Sequence, residues 1–214
     1  INEGRIKLFQ QKILSADDNQ KNSYEILCRV IDTNGEILAP APYLTAAERY
    51  HLTPDLDKWV VKHTLQWMEK NPEIVTQCDY FSINLSGLSI CDETFSTFIT
   101  QCFEDYNVAP SSVCLEITET AAVSNFVKAC DFITAIRDLG CKFALDDFGS
   151  GMSSFAYLKK LPMDILKIDG MFVKDILNDP IDLAMVKSIN EVGHVIGLKT
   201  CLLYTSPSPR DSFR

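Results

Sequence analysis

The chain has 214 residues, 46% of them apolar and 23% charged, and a formal net charge of −9; that is the make-up of a folded domain long enough for one substantial core. No apolar run reaches the roughly 18 residues of a membrane span, no basic-then-apolar leader is present, and with no basic block a polymeric nucleic acid is excluded as partner. The polar start at Ile1, without a methionine, is what a piece of a longer protein would show.

In chain order, the apolar runs at 6–11 and 24–31 read as strands. Residues 57–68 then carry apolar side chains every three or four positions, and His63, between Val60 and Trp67, is expected to be an ordinary helix residue rather than a metal ligand. A strand at 81–85 precedes a helix at 93–106. A strand at 113–117 precedes a helix at 124–139, whose Phe126, Ala129, Cys130, Ile133, Ile136 and Leu139 form one stripe closed by Gly140. Strands at 142–145 and 165–168 and a helix at 181–196 complete the alternation.

Gly197-Leu198-Lys199-Thr200 opens another strand, but from Cys201 the text turns into Leu202-Leu203-Tyr204-Thr205-Ser206-Pro207-Ser208-Pro209-Arg210-Asp211, which resembles a translated sequencing adapter. The expected division is therefore a domain over 1–200 and a non-native tail over 201–214. The eight cysteines include no CxxC pair and several lie in apolar runs, so reduced core thiols of a cytosolic protein are expected.

Repeated strand-helix alternation implies parallel strands with helical crossovers, in either a doubly wound sheet or a barrel. No GxGxxG follows an early strand, whereas several strands end in a carboxylate or an amide, which favours the barrel, whose sites form at strand C-termini. Taken singly, a strand-end Asp or Asn is more often a cap or a turn residue. Together, Glu25, Asn84, Glu116, Asp146 and Asp147 would share one mouth, where so much negative charge calls for cations, and oxygen donors suit Mg²⁺ or Mn²⁺.

The ordered series Glu25-Ile26-Leu27-Cys28-Arg29, Asn84-Leu85-Ser86, Glu116-Ile117-Thr118-Glu119, Asp146-Asp147-Phe148-Gly149-Ser150-Gly151 and Lys167-Ile168-Asp169 resembles the motifs of EAL-domain cyclic di-GMP phosphodiesterases. The resemblance implies an α/β fold, a modified TIM barrel with an antiparallel first strand, here incomplete because strands seven and eight are missing. It implies hydrolysis of cyclic di-GMP to linear pGpG with two Mg²⁺ or Mn²⁺ ions. By motif, Glu25, Asn84, Glu116 and Asp146 would hold one ion, Asp147 would serve the second, and Lys167 would position the attacking water. Gln11, Leu27, Arg29 and Asp169 would contact the substrate, and Glu119 would support the loop beyond Asp147.

Two family segments, a Glu-Gly-Val-Glu motif carrying the expected general base and a later Gln-Gly-Tyr, have no counterpart, so the isolated chain is expected to be inactive and poorly soluble. The family further implies a sensory or GGDEF-type domain upstream, a tendency to homodimerise, and no membrane contact from this segment. Two alternatives remain: a non-catalytic cyclic di-GMP receptor module, and an unrelated divalent-metal barrel enzyme.

Overall fold

The computed structural model describes residues 4–17, 20–150 and 155–203, together with the backbone of 211–212. The strands are β1 (Ile6–Ile13), β2 (Ser23–Val30), β3 (Phe81–Leu85), β4 (Val113–Thr118), β5 (Lys142–Phe148), β6 (Ile165–Ile168), β7 (Lys199–Leu202) and the two-residue β8 (Asp211–Ser212). They form one sheet in the order β7-β6-β5-β4-β3-β2-β1-β8. Strands β2 to β7 run parallel and β1 runs antiparallel to β2, the arrangement expected for an open, curled barrel sheet with its first strand reversed.

Because strand side chains alternate, each strand feeds two cores. Phe81, Ile83, Leu115, Ile117, Phe143, Leu145, Leu166 and Ile168 face outward and pack with helix residues such as Leu65, Phe95, Ile133 and Ile189. The other parity, Cys114, Ala144 and Ile165, joins Tyr80 in a small separate cluster against which Ile13 and Cys201 pack. That plug floors the polar face of the strands.

The helices are α1 (Pro40–Arg49), α2 (Thr53–Lys70), α3 (Pro72–Val75), α4 (Gly87–Cys91), α5 (Glu93–Asp105), α6 (Glu119–Ser124), α7 (Phe126–Arg137), α8 (Phe155–Leu158), α9 (Gly170–Val173) and α10 (Pro180–Val195). Helix α1 is not placed by the sequence reading; none of its residues is fully buried, and it rests on the sheet only through half-buried side chains such as Tyr43. Short helices follow β3, β4 and β6 directly, capped by the Ser86, Thr118 and Asp169 side chains. These caps turn the chain sharply and hold the strand ends.

The sheet runs one strand further than the sequence reading placed it, and β6 is not its edge. Strand β7 pairs with β6 from Lys199 to Leu202, with Lys199 N–H donating to the Asp164 carbonyl at 2.9 Å and Leu203 N–H to that of Ile168 at 3.1 Å. Strand pairing needs only backbone groups, so the unfamiliar Cys201-Leu202 does not prevent it. Residues 204–210 and 213–214 of the suspected tail, and Gly151, lie outside the described residues. Cys102, Cys114 and Cys141 are buried, while the other five thiols are partly exposed. Among the described residues no helix is long and apolar enough to cross a membrane.

Candidate active site

Register decides which polar side chains meet. Asn84 on β3 lies opposite Glu116 on β4, Asp146 on β5 lies opposite Thr118, and Lys167 is on the inward parity of β6. Three strands, β2, β4 and β5, thereby bring carboxylates to the one ammonium that β6 supplies. Lys167 Nζ donates to Glu116 in a very close ion pair, and lies 3.3 Å from Glu25 Oε2 and 3.2 Å from Asp146 Oδ1. Asn84 joins from β3 by donating its Nδ2–H to Glu25 Oε1 at 2.9 Å, which leaves its carbonyl oxygen free to accept.

Lys167 and Glu116 are only 2% and 1% exposed, so solvent does little to screen this cluster. Burial disfavours the ammonium of Lys167, but Glu116, Glu25 and Asp146 together outweigh it and hold the pKa above the ordinary lysine value. Burial pushes the Glu116 carboxyl up to about 7 against the pull of Lys167, with Glu25 and Asp146 adding to the rise. Asp146 is raised for the same reason, burial first. We take Lys167 as charged throughout, since three acids surround it and neutralising it would strand them.

Asp146 and Asp147 are adjacent, so a regular strand would send them to opposite faces. The structure resolves this with a register shift between Leu145 and Phe148, and with Asp147 at φ 54°, a left-handed conformation that Asp tolerates better than most residues. Both carboxylates consequently line one cleft of about 460 Å³ with Gln11, Glu25, Lys167 and Asp169. Burial, followed by the charges of Asp146 and Asp169, raises the Asp147 pKa.

The loop beyond Asp147 is tied down by Glu119, whose carboxylate accepts from Gly149 N–H at 2.9 Å and from the Tyr157 hydroxyl at 2.5 Å. Gly149 has φ 103°, and a Cβ there would stand 2.6 Å from the Phe172 ring, so only glycine fits. Hydrogen bonds to a charged acceptor contribute about 1.5–3 kcal/mol. Glu119→Ala should therefore speed amide exchange at Gly149 by about tenfold or more, read by hydrogen-exchange mass spectrometry; unchanged exchange would mean the latch is not what orders this loop.

Not every expected contact residue reaches the cleft. Gln11, opposite Glu25 in the β1–β2 register, lines it, and Asp169 lines it while its carboxylate also accepts from Met171 N–H at 2.7 Å. Leu27 and Arg29 share the β2 face of Glu25 but are not in the cleft wall. Arg29 Nη1 instead donates to the Cys28 carbonyl at 2.8 Å, an acceptor it shares with the Tyr43 hydroxyl at 2.6 Å. The sequence reading missed Met171, Lys174 and Leu203 in the wall. Nothing marks them in the sequence beyond their position after β6 and β7. A second cleft of about 370 Å³ lies on the outer helical surface, where Asp92 is already paired with Lys58 at 3.3 Å.

Among the described residues no three His, Cys, Asp or Glu side chains are gathered as ready metal ligands; the carboxylates are spread around the lysine. The donor chemistry nonetheless fits a hard cation, because the side chains gathered here offer only oxygens: buried Asp146 Oδ1 has the Lys167 ammonium at 3.2 Å and no further partner, and Asn84, bonded to Glu25 through its Nδ2–H, keeps its carbonyl oxygen available.

The profile of the EAL domain matches residues 1–203. The chain is 40% identical over 201 residues to the cyclic di-GMP phosphodiesterase PdeB of Shewanella oneidensis, covering 94% of this chain and 23% of the relative. It is 35% identical over 196 residues to the cyclic di-GMP phosphodiesterase PdeA of Borreliella burgdorferi, covering 90% and 28%. The chain thus spans about a quarter of the length of these relatives. Among solved structures, the PaMucR phosphodiesterase in complex with c-di-GMP superposes with a TM-score of 0.85 at 26% identity, over 94% of this chain and 83% of that one. With the EAL domain matched over residues 1–203, nearly its whole length, the chain belongs to the EAL domain family.

Proposed function

We propose that this chain is the catalytic domain of a cyclic di-GMP phosphodiesterase that opens the cyclic dinucleotide to linear pGpG. The observation that carries the reading is the convergence of Glu25, Asn84, Glu116 and Asp146 from four strands around Lys167, beside a cleft that also takes in Asp147.

Glu25, Asn84, Glu116 and Asp146 would hold one Mg²⁺ or Mn²⁺, and Asp147, turned into the cleft by its bulge, would serve a second. When bound, such ions acidify a water and stabilise charge on the phosphoryl oxygens. The chain's own residues do the remaining work. Lys167, fixed by three carboxylates, presents its ammonium where it can hydrogen-bond and orient the attacking water. The water adds to phosphorus and one bridging P–O bond breaks, leaving a 5′-phosphate and a free 3′-hydroxyl. Gln11 and Asp169 contact the ligand from the cleft wall, and Leu27 and Arg29 do so from the β2 face once Arg29 leaves the Cys28 carbonyl. Glu119 holds the loop after Asp147 around the site.

The test is incubation of the domain within its longer protein with cyclic di-GMP and Mn²⁺, followed by mass spectrometry. Release of pGpG is expected. Tight binding without turnover would instead assign the receptor reading, and neither binding nor turnover would overturn both.

A further inference from the structure

Behind the ring lies a buried acid that the reaction does not use. Asp57, on the first turns of α2, is 8% exposed. Its Oδ2 accepts from the Ser86 backbone N–H at 2.8 Å and from the Ser89 hydroxyl at 2.7 Å. The Ser86 hydroxyl donates to Ser89 Oγ at 3.1 Å and accepts from Ser89 N–H at 3.3 Å, which closes the network over the first turn of α4. A carboxylate is an expensive way to fill a helix–sheet contact, since burying it is tolerated only when donors compensate. Here the donors belong to the turn that ends β3, two residues beyond Asn84.

Asn84 needs such an anchor. Its side chain is exposed at the mouth of the sheet, and Glu25 is its hydrogen-bond partner there. With little packing around the amide, its direction follows from where the backbone of β3 ends. The same turn is clamped on its other side, where a Cβ on Gly87 would come within 3.3 Å of Ala121 on α6. The turn is thus held from α2 by hydrogen bonds and from α6 by contact.

We propose that Asp57 is a positioning residue for the cation site: through Ser86 and Ser89 it fixes the end of β3, and thereby the direction in which the Asn84 carbonyl oxygen enters the acidic ring. The inference rests on the cation reading given under the proposed function. Removal of an outer partner that orients a metal ligand typically weakens metal binding by about 10- to 100-fold.

The experiment is titration of the full chain with Mn²⁺ by calorimetry, alongside thermal melts, for wild type, Asp57→Leu, Asp57→Asn and Ser89→Ala, with Val186→Ala as a remote destabilised control. Asp57→Leu should bind Mn²⁺ about tenfold or more weakly. Asp57→Asn, which keeps an acceptor oxygen, should stay within about threefold of wild type, and Ser89→Ala, which deletes one bond, should fall between. The control should lose melting temperature without losing affinity. A purely structural Asp57 would behave as the control does. Should Asp57→Leu fail to fold, Ser89→Ala decides the matter, and wild-type affinity in that variant would overturn the proposal. Wild-type binding indifferent to these variants sinks this inference alone, whereas no Mn²⁺ binding by the wild type sinks the cation reading and this inference with it.

Discussion

Replacing Lys167 with methionine should lower the unfolding free energy by about 3–5 kcal/mol in metal-free buffer, the usual cost of removing one partner from a buried ion pair. Methionine retains most of the apolar stem, so the loss reports the charge. Without the ammonium, Glu116, Glu25 and Asp146 face one another, and only the first of them has its carboxylate almost wholly out of water. The pH dependence has a definite sign. Burial already pushes Glu116 from 4.5 up to about 7, and losing the ammonium pushes it higher, so the folded variant binds protons that the unfolded chain releases. The deficit should therefore stay nearly constant between about pH 4.5 and 7, where Glu116 holds its proton in both folded proteins, and grow as pH rises above about 7, where only the variant keeps it. Urea denaturation of both proteins across that range provides the measurement. Equal stabilities at neutral pH would mean that the lysine is not the counter-charge of the ring.

Glu116→Gln should have the converse profile. Lys167 keeps Glu25 and Asp146, and the isosteric amide relieves some crowding of negative charge, so the stability loss should stay below the roughly 3–5 kcal/mol expected for Lys167→Met. Hydrolysis of cyclic di-GMP by the longer protein should nevertheless fall about 100-fold or more, because a change in a metal ligand should cost at least as much as a change in the residue that orients it. A variant that is stable and fully active would remove Glu116 from the site. The two substitutions thus separate a residue whose loss unfolds the ring from one whose loss chiefly silences it.

The strands were legible because a strand buried on its outer face must present short apolar runs, as Phe81-Ser82-Ile83 and Val113-Cys114-Leu115 do. The ring was legible because Glu25, Asn84, Glu116, Asp146 and Asp147 each close an apolar strand run, and because the ordered motifs that add Lys167 resemble those of a known family. Such reading fails where the backbone departs from the strand. Nothing in the text of Asp146-Asp147 announces the bulge that lets both acids share a cleft. It fails again for α1, which has no fully buried residue, and for β7, where backbone pairing overrides unfamiliar side chains. Asp57 was hidden for a different reason. An acid in the first turns of a helix is an ordinary dipole partner, and only the fold shows that its acceptors reach the turn after Asn84.

The central claim is that the side chains gathered on Lys167 form a cation site serving a dinucleotide. Crystals of the chain soaked with Mn²⁺ and measured at the manganese absorption edge test it most directly. The account predicts an anomalous peak about 2.1 Å from oxygens of Asp146 and Glu116, with the Asn84 carbonyl oxygen turned towards it. Manganese bound elsewhere on the chain, with Lys167 still enclosed by all three carboxylates at saturating ion, would contradict it.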